Sequence, residues 1–498
     1  MSTLKRQLDM VMSNTTAVET LIIGTGFGGI GAAIRLQKMG KNNFLIIEKA
    51  DAVGGTWRDN TYPGAQCDIP SVLYSFSFEL NPKWSRRFSN QPEILNYMQG
   101  VVKKAKLDEH IRFQQEVEQA SFNEERGLWE VTTKQGQRYE ARYIISACGQ
   151  LSRPSYPKLH GVENFKGEIF HSARWNHDYD LQDKRIAVIG TGASAIQFVP
   201  QIIPKAKQLT LFQRSAPYVL PKPDRNYFNL ENTLFKTIPG FQRLIRGLVY
   251  TQHETRQVLF GPLKAVLPGA EFLFRQYLKL MVKDKTLRDK LTPDYRLGCK
   301  RMLIANNYYP ALAQDNADVD TSGIAEIKEN SIVTQDGREI DVDVIIYGTG
   351  FQATDFLSPM QIKGIAGREL NEDWRDGAEA YKGITITGYP NLMMLYGPNT
   401  NIGHNSAVFM IESQLNYIMD FIKQVDAKQL RYMNVKPSTQ KKHNSELQDN
   451  LKNSVWASGC HSWYLSESGK NINNWSDYTY RYNRLTTQVN LNDYDQLA

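Results

Sequence analysis

Short apolar runs alternate with glycine-rich turns and amphipathic segments along much of the chain. Two stretches share one order of elements, an apolar strand, a glycine-rich turn and a helix, and they begin at residues 21–23 and 186–189. A second apolar strand follows each unit, at 44–48 and at 209–214. Strands that alternate with helices in this way are typical of parallel α/β sheets. Further buried strands are predicted at 143–146, 342–347 and 392–396.

The first glycine-rich turn has the spacing of a dinucleotide-binding loop. Its candidate binding residues are Gly24, Gly26, Phe27, Gly28 and Gly29. The turn follows a strand and opens a predicted helix at 30–38, and Glu48 ends the next strand, 24 positions after Gly24. In such a loop the glycines let the backbone approach a pyrophosphate, the helix N-terminus stabilises its charge, and the acid binds a ribose hydroxyl. We expect FAD at this loop, with Lys49 in the same site.

The second turn repeats the pattern with one change of charge. Its candidate binding residues are Gly190, Thr191, Gly192, Ser194 and Ala195. At the position that matches Glu48 stands Arg214, followed by Ser215. A cation in place of the acid suits a 2′-phosphate, so this loop is expected to bind NADPH and not NADH.

These two units predict an α/β fold with two Rossmann-like dinucleotide-binding domains and a helical insertion. Prolines at 153–157 and 217–223 punctuate the chain, and the spacing of apolar residues at 228–291 is helical. The predicted division is an FAD-binding domain at 1–152 and 389–498, an NADPH-binding domain at 153–227 and 292–388, and the insertion at 228–291.

Composition excludes several classes of protein. Hydrophobic residues make up 41% and charged residues 22% of the 498, as in an ordinary globular chain. The apolar runs are too short for a transmembrane helix, and the first twenty residues lack the apolar segment of a secretory signal. The net charge of +7 is mild for this length and does not indicate nucleic acid.

The cysteines point to a reducing compartment. Cys67, Cys148, Cys299 and Cys460 are far apart and form no C-x-x-C pair. We therefore expect neither a disulfide framework nor a metal site, and we expect a cytoplasmic location.

Two dinucleotide sites in one chain indicate a flavoprotein oxidoreductase. Flavin disulfide reductases need a cysteine pair beside the first loop, and Cys67 stands alone there.

Four motifs in order resemble those of the type I Baeyer–Villiger monooxygenases. Residues 165–175 match the fingerprint F-x-G-x-x-x-H-x-x-x-W through Phe165, Gly167, His171 and Trp175. The other three are G-G-x-W-x-x-x-x-Y-P-G-x-x-x-D at 54–68, a D-x-x-x-x-G-T-G-F strand end at 343–351, and the G-C-K-R segment at 298–301. The resemblance covers roughly residues 18–490 and also includes the segment at 459–464.

The resemblance implies an activity. NADPH would reduce FAD, NADP+ would stay bound, and reduced flavin would add O2 at C4a to form a peroxide. That peroxide would attack a small apolar ketone and give an ester or lactone. Arg301 would stabilise the peroxide anion, because electrostatic stabilisation is strong in a dry site, and Asp68 would hold Arg301 in place.

The same resemblance suggests roles for neighbouring residues. Lys300 would reach the NADP 2′-phosphate alongside Arg214 and Ser215. Thr56 and Trp57 would line the flavin, as would the loop at 397–405. We interpret His171 as a structural histidine that couples domain movement to cofactor position, with Trp175 packed nearby, and not as a general base.

Two alternative functions stay open. The first is a related flavin-containing monooxygenase that oxygenates sulfur or nitrogen, for example in a sulfide, although that group usually has Tyr or Phe where Trp175 stands. The second is a non-catalytic NADP-binding redox sensor, in which Arg301 and Asp68 would have no reason to pair.

The stretch at 231–290 has an excess of basic residues, with 11 Lys and Arg against 5 Asp and Glu. One interpretation is a solvated helical cap over the active site. The other is a weak peripheral membrane contact, in which basic charge and the apolar residues Phe235, Ile238, Phe241 and Leu244 meet a lipid surface.

Overall fold

Two β-sheets, of nine and five strands among the described residues, form the centres of the molecule. The computed structural model describes residues 15–260, 264–460, 462, 464–466 and 468–498. The strands in chain order are β1 (Thr15–Ile23), β2 (Phe44–Ile47), β3 (Ile111–Arg112), β4 (Val117–Asn123), β5 (Leu128–Thr133), β6 (Arg138–Ser146), β7 (Glu168–His171), β8 (Arg185–Ile189), β9 (Gln208–Phe212), β10 (Val219–Leu220), β11 (Leu303–Ile304), β12 (Ala317–Asp320), β13 (Ile324–Ile327), β14 (Ser331–Thr334), β15 (Glu339–Asp341), β16 (Val344–Tyr347), β17 (Gln361–Lys363), β18 (Thr385–Ile386), β19 (Tyr389–Met394), β20 (Tyr432–Val435) and β21 (Tyr494–Leu497).

The first sheet has the order β17-β4-β5-β6-β1-β2-β3, and β19 also pairs with β6. Strands β1, β2 and β3 run parallel, whereas β4, β5 and β6 form an antiparallel meander. Strand β6 branches, because residues 138–141 pair with β5 and residues 144–146 pair with β19. All four residues of β2 are buried, as expected for a parallel strand that is covered on both faces.

The second sheet has the order β12-β9-β8-β16-β7, and every pairing in it is parallel. Val188 at its centre pairs with Leu211 on one side and Ile346 on the other. Each sheet therefore has an apolar strand–turn–helix unit at its centre, and the predicted α/β class with Rossmann-like domains is confirmed.

Helices connect these strands and cover the sheets. Phe27–Lys38 joins β1 to β2, and Ala195–Ile202 joins β8 to β9, so both predicted turns open a helix. The other α-helices of the described residues are Thr56–Asp59, Gln91–Lys104, Asn229–Thr237, Phe241–Glu254, Leu267–Met281, Lys285–Lys290, Tyr308–Leu312, Leu370–Asp373, Ala407–Ala427, Pro437–Lys452 and Thr479–Leu485. None of these helices combines the length and the apolar character needed to cross a bilayer.

The predicted helical stretch packs in two parts. From helix Phe241–Glu254, Ile245 and Val249 lie against the core of the first sheet. From helix Leu267–Met281, Phe274 and Leu278 belong to the core beside the second sheet. The stretch thus contacts both halves of the molecule.

Two strands pair with a different sheet from the one to which the predicted domain boundary assigns them. Strands β17 and β18 belong to the first sheet, whereas a boundary at residue 388 groups them with the second. The division into domains as a whole stays a prediction.

Candidate active site

The backbone of the first glycine-rich loop leaves no room for a Cβ atom at two positions. Gly24 has a φ of +105°, and a Cβ atom there would lie 2.8 Å from the Ala147 carbonyl oxygen. A Cβ atom on Gly29 would lie 1.8 Å from the Gly24 carbonyl oxygen. Helix Phe27–Lys38 begins inside this turn. The loop therefore leaves a bare backbone and a helix N-terminus facing a ligand, which suits the pyrophosphate of FAD.

Glu48 lies directly beyond the end of β2 and is tied to the first loop. One carboxylate oxygen accepts hydrogen bonds from the Thr25 backbone nitrogen at 2.9 Å and from the Thr25 hydroxyl at 2.7 Å. The other accepts from the Ala50 nitrogen at 3.0 Å and lies 3.2 Å from Nη1 of Arg58. Burial by itself raises the pKa of Glu48, but these hydrogen bonds and the charge of Arg58 lower it overall. Glu48 is therefore ionised at the position where a ribose would bind.

The second loop repeats this construction. Gly190 has a φ of +106°, and a Cβ atom there would lie 2.5 Å from the Gly348 carbonyl oxygen. The Thr191 hydroxyl donates to the Ser215 carbonyl oxygen at 3.3 Å, so the turn is joined to the end of β9. The loop fits a second dinucleotide for the same physical reasons as the first.

Two cations and a hydroxyl lie together beyond the second loop. Nζ of Lys300 donates to Oγ of Ser215 at 2.9 Å and lies 4.4 Å from the centre of the Tyr295 ring. Arg214 is exposed beside them. Burial and the nearby charge of Arg214 lower the pKa of Lys300. Within the described part of the chain neither cation forms a salt bridge, so both are available to an anion such as a 2′-phosphate.

One cavity of about 1430 Å³ joins the two loops. Predicted site residues that line it are Gly24, Gly26, Phe27, Gly28, Glu48, Lys49, Thr56, Trp57, Asp68, Gly190, Thr191, Gly192, Ser194, Arg214, Ser215, Lys300 and Arg301. Gly29 and Ala195 are the two predicted cofactor-binding residues that do not line the cavity, and Ala195 is buried. The indole nitrogen of Trp57 donates to the Tyr74 hydroxyl at 3.2 Å, which fixes the ring at the cavity wall.

Asp68 and Arg301 form an ion pair in this cavity, between Oδ2 and Nη2. Their side chains are 32% and 31% exposed, and both line the cavity. Burial raises the pKa of Asp68, but the charge and hydrogen bond of Arg301 lower it overall. The charge of Asp68 in turn raises the pKa of Arg301. The pair is therefore charged on both sides.

The segment that precedes Asp68 is held by the second domain. The Tyr62 hydroxyl donates to Oε1 of Gln197 at 3.0 Å, and the Gln197 amide donates to the Gln66 carbonyl oxygen at 2.8 Å. A Cβ atom on Gly64 would lie 2.8 Å from the Gln197 carbonyl oxygen. Gln197 belongs to the helix that the second loop opens, so it links that loop to Asp68. Gln197 was not predicted from the sequence, because a glutamine inside a helix carries no local signal of such a contact.

The fingerprint residues lie outside the cavity lining. A Cβ atom on Gly167 would lie 2.4 Å from the Asp343 carbonyl oxygen and 2.6 Å from the Phe165 ring, which explains glycine at this position. Trp175 packs on Phe170 and Phe198, with ring centroids 5.1 and 5.3 Å away. These contacts join the fingerprint segment at 165–175 to the core beside the second sheet.

His171 is fully buried at the end of β7. Its Nδ1 accepts a hydrogen bond from the Ala173 backbone nitrogen at 3.0 Å, and the Tyr156 ring lies 5.4 Å away. Burial lowers the pKa of His171 to about 4, so the ring is neutral at pH 7. His171 is thus buried outside the cavity lining, and its structural role stays a prediction.

A disulfide joins Cys299 to Cys460, and the expectation of no disulfide is wrong. The two residues are 161 positions apart, so no C-x-x-C spacing signals the pair, but their Cα atoms lie only 6.3 Å apart. The bond fastens the residue before Lys300 and Arg301 to the segment at 459–464. Within that segment His461 and Trp463 lie outside the described residues. Burial raises the pKa of Tyr464 to about 12, and the nearby charge of Arg301 offsets part of that rise.

The chain is similar to several known proteins over most of its length. A family model described as pyridine nucleotide-disulphide oxidoreductase matches residues 21–228. A Baeyer-Villiger monooxygenase of Pseudomonas aeruginosa is 47% identical over 475 residues, which cover 95% of this chain and 90% of that protein. A steroid monooxygenase bound to NADP has a TM-score of 0.87 and 30% identity, and OTEMO in complex with FAD and NADP has 0.86 and 26%. Both structures cover 97% of this chain and 100% of theirs.

The fold and the site together define a flavoprotein oxidoreductase with separate sites for FAD and NADPH. The chain belongs to the Baeyer–Villiger monooxygenases. The predicted family and the two predicted cofactors are confirmed. The alternative of a non-catalytic sensor loses its support, since the family is enzymatic.

The disulfide gives a direct prediction. Cys67 and Cys148 are free thiols, whereas Cys299 and Cys460 are joined. Denaturation with an alkylating agent and no reductant should therefore label two cysteines, and prior reduction should allow all four to be labelled. Peptide mass spectrometry identifies the labelled residues. Alkylation of Cys299 and Cys460 without reductant would contradict the bond.

Proposed function

We propose that this protein uses NADPH and O2 to insert one oxygen atom next to the carbonyl group of a small apolar ketone, and that Arg301 and Asp68 are the catalytic pair. The product is an ester or a lactone. The observation that carries this proposal is one cavity that contains both dinucleotide loops and the Asp68–Arg301 ion pair. Family membership supports the reaction class.

Two groups of residues would hold the cofactors. The bare backbone of Gly24 and Gly26, the start of helix Phe27–Lys38 and the Glu48 carboxylate suit FAD. The loop at Gly190, with the cationic group formed by Arg214, Ser215 and Lys300, suits NADPH. Bound FAD, reduced by NADPH, supplies the activation of O2.

Arg301 supplies the positive charge that oxygen transfer needs. Negative charge develops on oxygen as an oxygen atom is delivered to a carbonyl, and a guanidinium keeps its proton at any working pH. A fixed cation in a cavity lined by protein acts more strongly than one in water. Asp68 holds the guanidinium in one orientation and offsets the cost of burying it.

An isotope experiment tests the reaction and the role of Arg301. Purified enzyme with NADPH, 18O2 and a panel of linear, cyclic and aryl ketones should give esters or lactones that carry one labelled oxygen by mass spectrometry. Arg301→Met should lower that yield by about 100-fold or more, because it removes the cation. As a matched control, Arg185→Met breaks an ion pair with Asp343 in the second domain, away from the cavity lining, and should keep the activity.

The same panel includes one sulfide, since oxygenation of sulfur is the alternative activity. Labelled sulfoxide without any ester would replace the proposed reaction by heteroatom oxygenation. NADPH consumption that yields only hydrogen peroxide would contradict both, and would remove the support for Arg301 and Asp68 in oxygen transfer.

Lys300 is proposed to bind the 2′-phosphate that distinguishes NADPH from NADH. Hydrogen bonds to charged groups are worth about 1.5–3 kcal/mol, or about 10- to 100-fold in affinity. Lys300→Met should therefore raise the KM for NADPH by about that factor and leave the KM for NADH unchanged. Lys290→Met, which removes a lysine that contacts Asp318 and the Val319 carbonyl oxygen, is the matched control. Equal changes for both nucleotides would exclude the role.

The helical stretch is further proposed to contact an anionic lipid surface. Leu244 and Leu248 lie one turn apart on helix Phe241–Glu254 and are each 59% exposed, beside the exposed Arg243. Phe272, Leu273 and Leu280 are exposed on helix Leu267–Met281. Exposed apolar residues beside basic ones are typical of peripheral membrane contacts. Phe235, however, is buried, so that part of the expected apolar surface is corrected.

Sedimentation with vesicles tests this contact. The protein should sediment with vesicles of mixed zwitterionic and anionic phospholipid at low salt, and less at high salt because of screening. The double variant Leu244→Ser, Leu248→Ser should stay in the supernatant. Leu485→Ser, an exposed leucine outside the helical stretch, should sediment like the wild type. Absence of wild-type binding at low salt would exclude the contact.

A further inference from the structure

A two-stranded ribbon in the second half of the molecule presents two cations to one segment of the first. Strand β10 pairs in parallel with β11. Arg301 comes two residues before β11 and Lys222 comes two residues after β10. Arg301 binds Asp68, and Lys222 binds the two residues that precede it, Gln66 and Cys67. The two ends of the ribbon therefore hold the same short segment.

The Lys222 ammonium group is enclosed by acceptors from the first domain. Lys222 is 8% exposed, and its Nζ donates to the Cys67 carbonyl oxygen at 3.1 Å and to Oε1 of Gln66. The same nitrogen lies 4.9 Å from the centre of the Phe88 ring. Burial lowers the pKa of Lys222, and these hydrogen bonds replace part of what water supplied to the ammonium group.

The backbone of Lys222 is fixed as well. Its nitrogen donates to Oδ1 of Asn306 at 2.8 Å, and the Asn306 amide donates to the Lys222 carbonyl oxygen at 2.8 Å. Asn306 follows β11, so the ribbon that carries Arg301 also holds Lys222. The positions of the two cations are thereby coupled through one element.

We propose that Lys222 is a positioning residue for oxygen transfer, which holds the backbone at Gln66 and Cys67 and places a second positive charge behind Asp68. In this way it keeps the Asp68 carboxylate ionised and bound to Arg301. The inference rests on the proposed function of the Asp68–Arg301 pair. Lys222 does not line the cavity, so it acts through Asp68 and not on the substrate.

The charges around Asp68 support this role. Burial raises its pKa, whereas Arg301 and then Lys222 lower it. The other titratable groups that interact with Asp68 are Cys67, Tyr62, Tyr74, Tyr396, Tyr464 and His253. Burial raises the pKa of the thiol and of the four phenols, and lowers that of His253 to about 3, so all six are neutral near pH 7.

The groups that face Lys222 on its other side form their own pair. They are Asp224 and Arg86, joined between Oδ2 and Nη2 at 2.5 Å. Asp224 also accepts a hydrogen bond from the Gln66 amide at 3.0 Å. Beyond the effect of burial, Asp224 raises the pKa of Lys222 and Arg86 lowers it, so these two charges oppose one another at the ammonium group. Lys222 is in turn one of the two cations that lower the pKa of Asp68.

The pH dependence of kcat/KM in the FAD-loaded enzyme tests the proposal. Lys222→Met removes one of the two cations that lower the pKa of Asp68, so Asp68 takes up a proton at higher pH and releases Arg301. The acid limb of the profile should therefore move to higher pH. At pH 7 the kcat/KM for ester or lactone formation should fall about tenfold or more, since a hydrogen-bonded charge is lost.

Two variants separate charge from packing. Lys222→Arg keeps the charge, so its acid limb should stay at the wild-type position even if kcat falls. Lys382→Met removes a lysine of similar burial, 5% against 8% exposed. Its Nζ donates to the Leu485 carbonyl oxygen at 3.0 Å and packs on tyrosine rings outside the cavity. Its acid limb should stay in place as well.

The result that would overturn the role of Lys222 differs from the result that would overturn the proposed function. FAD content and the thermal midpoint report whether each variant folds, and Lys222→Gln is a second neutral side chain if the methionine variant does not. A folded, FAD-loaded neutral variant with an unmoved acid limb would overturn the inference. Failure of the wild type to form any ester or lactone would instead overturn the proposed function, which is the separate premise.

Discussion

Asp68 from one half of the molecule forms an ion pair with Arg301 from the other half, and much of the surrounding structure holds this pair in place. Asp68 follows a segment of the first domain, whereas Arg301 lies beside a ribbon of the second. Each charge is partly withdrawn from solvent, so pairing them offsets part of the cost of placing either one in this cavity. The contacts of Gln197 and the disulfide at Cys299 each fix one side of the pair. The ion pair therefore also constrains how the two halves of the molecule are arranged.

The two dinucleotide loops share one backbone arrangement. The charged residue that follows the next strand is an acid in the first loop's unit and a cation in the second's. The Glu48 carboxylate accepts two hydrogen bonds from Thr25 of the first loop and one from the Ala50 nitrogen, and these bonds favour its ionised form. Arg214 is exposed and forms no salt bridge with the described residues. The first site thus presents a fixed carboxylate, which suits the proposed ribose, and the second presents a cation without a salt bridge, which suits the proposed 2′-phosphate. This difference in partners, more than the glycine pattern, distinguishes the two sites physically.

The parts of the site that follow from local pattern were predictable. A strand, a glycine turn and a helix specify both loops, and the charge 24 residues later lies at the end of the next strand. Contacts between distant parts of the chain were not predictable in this way. Nothing near Cys299 indicates Cys460, and nothing near Lys222 indicates that its ammonium group is buried against Cys67, 155 residues away. Periodicity also failed to predict which apolar face of the helical stretch is covered, as the buried Phe235 shows.

The chain's path through the helical stretch has a mechanical consequence. Helix Phe241–Glu254 packs on the first core and helix Leu267–Met281 packs on the second, so the stretch is in contact with both halves. A change in the angle between the halves would have to break or rearrange the packing of at least one of these helices. Because the apolar area exposed in this way costs free energy, the helical stretch opposes a change in the separation of the two glycine-rich loops.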